Sequence, residues 1–144
     1  MNSPDNVREV TLPRGPTGTY VRLSAFHRPD DDVLVLFDVQ AEAPGLSAMI
    51  GIETLGGDGL SAFVQSLDDD FRGWPDERVW TSFRQELELR AAHLGHIVRL
   101  SWTLRSPEPA EQDTDWAVTV NLYVSPGEEL KNLASDVGHF LGDR

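Results

Sequence analysis

Between Phe83 and Arg105 the chain alternates so regularly that one kind of local structure fits it. Leu87, Leu89 and Ala91 are interleaved with Glu86, Glu88 and Arg90. Val98, Leu100, Trp102 and Leu104 are interleaved with Arg99, Ser101 and Thr103. A period of two is that of a strand with one buried face. Leu94-Gly95 interrupts the run, so the stretch reads as a long β-hairpin. With those two as the loop, His93 faces His96, Ala91 faces Val98, Leu89 faces Leu100 and Leu87 faces Trp102. Every apolar residue then lies on one face, and a one-residue slip would turn them all to water.

A second hairpin is equally sharp. Val33 to Glu42 and Leu46 to Thr54 flank Pro44-Gly45, a turn pair. Placing Ala43 opposite Leu46 sets Ala41 against Ala48, Val39 against Ile50 and Phe37 against Ile52. Leu34 and Leu36 fall on the other face, so that end is expected to be covered twice or to meet a partner. Upstream, Val7 to Leu12 and Thr19 to His27 read as strands, with Val10, Leu12, Val21, Leu23 and Ala25 inward. Met1 to Asn6 read as a disordered lead.

Two helices complete the pattern. Leu60, Phe63, Val64, Leu67 and Phe71 form one stripe at spacings of three and four. Asp58 is placed to cap that helix, and Gly73 and Pro75 to end it. After a loop from Ser106 to Asp115, Trp116, Val118, Val120, Leu122 and Val124 mark a last strand. Ser125-Pro126-Gly127-Glu128 then has the order of a capping box before Leu130, Leu133, Ala134 and Val137. The order ββββαβββα predicts a single α+β domain over residues 1–144. It is expected to hold a twisted, largely antiparallel sheet of about seven strands with two amphipathic helices on one face. The opposite face, with Glu86, Glu88, Arg90, Arg99, Ser101 and Thr103, is expected to be wet.

Composition narrows the function classes. The chain has 144 residues, enough for a core without staples, and no cysteine, which excludes disulfides, thiolate metal sites and a cysteine nucleophile. No apolar run approaches the ~20 residues of a membrane helix. Met1 to Arg8 lacks the apolar region of a secretory signal, so a cytoplasmic location is expected. Asp and Glu number 24 against 12 Lys and Arg, for a net charge of −12. Such a surface opposes nucleic acid and anionic membranes and favours a basic protein partner.

The chemical motifs are sparse. His93 and His96 could share a metal, but no third ligand is spaced beside them, so no metal and no cofactor are expected. Asp30-Asp31-Asp32 reads as a solvated turn. Asp68, Asp69 and Asp70 oppose the dipole at the end of their helix. With Trp74 beside them, read as partly exposed, they form the candidate partner-binding residues. Trp80 is read likewise as partly exposed, and Trp102 and Trp116 as core. There is no nucleophile elbow, Walker loop or zinc-protease motif, so no catalytic residue is named and no enzyme activity is expected.

One resemblance adds to this. The residues that carry it are Phe63-Val64-Gln65-Ser66-Leu67, Phe71-Arg72-Gly73-Trp74, Glu86-Leu87-Glu88-Leu89, Gly95-His96-Ile97 and Pro126-Gly127-Glu128-Glu129-Leu130. In that order they resemble an uncharacterised actinobacterial family of small acidic proteins that is similar to WapI-type immunity proteins. The resemblance spans roughly Leu60 to Leu141. It implies a non-enzymatic protein-binding domain, an immunity protein or inhibitor facing a basic toxin. The residues themselves leave two alternatives open: an accessory or regulatory domain for another cellular protein, and a small-ligand binder or enzyme.

Overall fold

The computed structural model describes residues 8–15, 18–29, 33–106 and 115–142. The expected lead, the Asp30–Asp32 turn and most of the Ser106–Asp115 loop lie outside them. Eight strands and two helices follow in the order β1 (Glu9–Leu12), β2 (Tyr20–His27), β3 (Leu34–Ala43), β4 (Leu46–Leu55), α1 (Leu60–Asp69), β5 (Glu77–Thr81), β6 (Leu87–His93), β7 (Val98–Arg105), β8 (Ala117–Val124) and α2 (Glu128–Phe140). The α+β class, the antiparallel pairing and the two helices are as the sequence predicts. The strands lie in two four-stranded sheets, ordered β1-β2-β3-β4 and β5-β6-β7-β8. The added strand is β5, whose short Glu-Arg-Val-Trp-Thr run carries too little alternation to stand out.

The hairpin of β3 and β4 has the expected register throughout, with Val39 opposite Ile50 and Phe37 opposite Ile52. The hairpin of β6 and β7 differs by two residues. His93 faces Val98, Ala91 faces Leu100, Leu89 faces Trp102 and Leu87 faces Leu104. A two-residue turn would need a left-handed conformation at Leu94. Instead the loop runs from Leu94 to Ile97, closed by the Leu94 N–H on the Ile97 carbonyl at 2.8 Å, with Gly95 at φ 97°. A slip of two keeps every side chain on its face, so the apolar face still turns to the core.

The inner faces of both sheets and the stripes of both helices join one core, and the helices pack on each other. Leu87, Leu89, Leu100 and Trp102 are fully buried in it. Each such side chain stabilises the fold by roughly 1.5–3 kcal/mol. Gly138 of α2 sits at the helix contact, where a β-carbon would stand 3.3 Å from the Ser61 hydroxyl of α1.

Several local expectations are corrected. Ala25 has φ 57° within an irregularity of β2 and is exposed; Phe26 packs edge-on to Phe140 beside it. The α1 stripe ends at Leu67, and Phe71, beyond the helix, is exposed. Trp116 precedes β8 and is also exposed. Gly59, not Asp58, is the N-cap of α1. Gly127 is the N-cap of α2, while Glu129 reaches back to accept from the Ser125 N–H at 2.6 Å. Glu86, Glu88 and Thr103 are buried rather than wet.

Candidate functional site

The end of α1 gathers the predicted residues but not as a free acidic patch. Gln65 donates to Asp69 at 3.1 Å and to Asp68 at 3.4 Å. Asp70 pairs with Arg78 of β5 at 2.8 Å. Arg78 also donates to the Ser66 carbonyl at 3.3 Å, so a cation stands at the helix terminus where the dipole favours one. Trp74 is a correction: it is only 7% exposed, and its indole N–H donates to the Ala91 carbonyl at 3.0 Å. Arg78 covers one side of its ring and His93 meets it edge-on. A ring held this way cannot anchor a partner. Trp80 is buried too, donating to the Asp58 carbonyl at 2.8 Å.

His93 is committed as well. Its Nδ1 accepts from the Gly95 N–H at 3.2 Å, and its Nε2 then donates to the Phe71 carbonyl at 2.8 Å. His96 is exposed. Among the described residues no three His, Asp or Glu side chains gather where they could hold a metal ion.

The open faces of the two sheets are unlike. On the second sheet Glu88, 6% exposed, pairs with Arg105 at 2.6 Å and Arg90 at 2.5 Å. Burial pushes its carboxyl up, but Arg105 and then Arg90 outweigh this and hold it below the ordinary carboxylate value. Glu77 pairs with Arg90 and Arg99. Ser101 donates to Asn121, and Thr103 and Thr119 share a hydrogen bond. This face is a closed polar network with an excess of arginine.

The first sheet leaves a cleft of about 300 Å³ open, lined by Leu36, Asp38, Gly51, Glu53, Arg84 and Glu86. Asp38 has no hydrogen-bond or ion-pair partner among the described residues. Glu53 pairs with Arg84 at 3.0 Å. Glu86 accepts from the Ser82 hydroxyl at 2.8 Å and, at 3.5 Å, from the Glu53 N–H. Further along the same face the Ser47 hydroxyl and then the Gln40 amide hold the Glu42 carboxyl below its ordinary value. Met49 and Leu55, on the same face of β4 as Gly51 and Glu53, are exposed, as is Phe83 next to Arg84 in the chain.

Asp58 builds the rim of this region. At φ 54° it accepts from the Leu55 N–H at 2.9 Å and the Phe83 N–H at 2.7 Å. It therefore fastens the turn after β4 to the loop before β6, the role it takes instead of capping α1.

A family model, described as a family of unknown function (DUF6228), matches residues 12–144. The chain belongs to that family. The DUF6228 match begins at the last residue of β1 and takes in every other element, so both open faces and the end of α1 lie within it. No curated protein and no solved structure matches the chain.

Within the DUF6228 chain, the sequence reading missed Asp38, Glu53, Arg84 and Glu86 as a group, because they come from three separate segments. The one available signal was Leu34 and Leu36 on the polar side of their strand. Leu36 does line the cleft.

Proposed function

We propose that this chain is a non-enzymatic binding domain for a basic protein, and that its binding face is the open face of the first sheet. The observation that carries the reading is that the cleft holds the acids Asp38, Glu53 and Glu86, while exposed Met49 and Leu55 share the outward face of β4 with Glu53 and exposed Phe83 adjoins Arg84 in the chain. Exposed apolar side chains beside charged ones let a protein interface gain both affinity and orientation. The side chains in the cleft support binding over catalysis. Glu53 and Glu86 are engaged in holding the loop before β6. The net charge of −12 would steer a basic partner. Asp68 and Asp69 extend the same field from the end of α1, while Asp70 is neutralised by Arg78.

The specific form that the sequence resemblance supports is an inhibitor or immunity protein meeting a basic toxin in the cytoplasm. Among the described residues no helix is long and apolar enough to cross a membrane.

Comparative capture tests this reading. Wild type and Asp38→Lys/Glu42→Lys are immobilised, and proteins of the source cell retained at low salt are identified. A basic protein held by wild type and lost by the variant is the expected result. An identical set on both, with circular dichroism showing both folded, would end the proposal.

A further inference from the structure

Each sheet has two edge strands, and three of the four are protected. Strand β1 has four residues and β5 has five, too short to template much pairing. Strand β4 is ten residues long, but it carries Gly51 and the charge of Glu53, and side-chain carboxylates take two of its outward N–H groups: Glu86 that of Glu53 and Asp58 that of Leu55. Strand β8 has none of these devices. It is eight residues long, Ala-Val-Thr-Val-Asn-Leu-Tyr-Val, without a charge, a proline or a glycine. Among the described residues no hydrogen bond reaches its backbone from any element but β7.

Such an edge is a template for another strand. We propose that β8 pairs antiparallel with β8 of a second copy about a twofold axis, joining two four-stranded sheets into one of eight. Self-pairing about a twofold sets each residue against another of the same strand, and with no charge in the strand no like charges meet. The surroundings point the same way. In a chain of net charge −12, two copies repel over most of their surface. The open-face neighbours of β8 on β7 are Arg99, Ser101, Thr103 and Arg105, opposite Tyr123, Asn121, Thr119 and Ala117. The acids of this sheet, Glu77 and Glu88, are already paired with arginine. Copies meeting here avoid the acidic face of the first sheet and leave it free for a different partner.

Sedimentation-velocity ultracentrifugation of the full chain across micromolar to millimolar concentrations tests this. A concentration-dependent dimer is expected. Thr119→Lys/Tyr123→Lys, which places two cations of each copy at the junction, should raise the dissociation constant at least tenfold. Val79→Lys, an exposed position on β5 at the opposite edge of the same sheet, should leave it unchanged. Circular dichroism separates lost pairing from lost fold. Should the double variant fail to fold, hydrogen exchange on wild type decides: β8 amides must gain protection as concentration rises. A monomer throughout the range overturns the proposal, as does a dimer that resists the β8 variant or leaves the β8 amides unprotected.

Discussion

On the second sheet Glu88 lies between two arginines; on the first, Asp38 has no partner at all among the described residues. Both are carboxylates on the outward side of an interior strand, and both strands bury their other side in the same core. The difference lies in what the rest of each sheet supplies. The second sheet pairs its own carboxylates with arginine, and groups so engaged have less left to offer a partner. The first sheet leaves carboxylate and apolar surface unspent beside each other. A surface that gains nothing for its own fold by this arrangement is the better candidate for recognition.

The comparison requires that the sheets share a core, and the largest expected effect probes that. Trp102→Ala should destabilise the chain by about 3–5 kcal/mol. The indole N–H of Trp102 has no partner among the described residues, so the loss is one of packing. Both sheets should unfold together in calorimetry and denaturant titration. Two separate transitions would show that the sheets are independent and that their open faces cannot be compared as parts of one fold.

Next comes the network itself. Glu88→Gln should cost roughly 1–3 kcal/mol, because Arg105 and Arg90 lose the anion they face. The pH dependence has a definite sign. The folded-state value for Glu88 lies below the ordinary 4.5, so its contribution is fully present above about pH 4.5 and is lost as pH falls through the folded value. Stability curves against pH should show wild type converging on Glu88→Gln in acid. Parallel curves would mean that the arginines do not hold the carboxylate.

The smallest effect sharpens the comparison at the end of α1. Asp70→Asn removes an exposed pair with Arg78 and should lower stability by less than about 1 kcal/mol. Asp68→Asn and Asp69→Asn, which oppose the helix dipole without an arginine, should leave stability unchanged or slightly higher. Chemical denaturation resolves the order. A gain in stability from Asp70→Asn would show that the Arg78 contact contributes nothing.

Much of the fold was legible because burial enforces a period of two in strands and three to four in helices. The β3–β4 register followed from the Pro44-Gly45 turn, whose chemistry admits few loop lengths. The β6–β7 register did not, because face alternation is blind to a slip of two and the loop conformation of Leu94 decided it. Trp74 and Trp80 were misplaced for a related reason. A tryptophan outside an alternating run has no pattern to assign it, and only the three-dimensional positions of the Ala91 and Asp58 carbonyls reveal that both indoles are satisfied inside. The cleft was the least legible part. Asp38 and Glu53 share one face of the β3–β4 hairpin, but Arg84 and Glu86 join them only because the loop before β6 folds over the first sheet, and Asp58, 25 positions from Phe83, helps to fix it there.

The claim that recognition belongs to the first sheet is tested most directly by mapping amide chemical shifts of the labelled chain, at fixed concentration, on adding the basic protein that wild type captures. Perturbations should cluster at Leu36, Asp38, Gly51, Glu53 and Phe83, and weaken with added salt. Perturbations clustered instead at Arg90, Arg99 and Ser101, with those first-sheet amides unmoved, would contradict it.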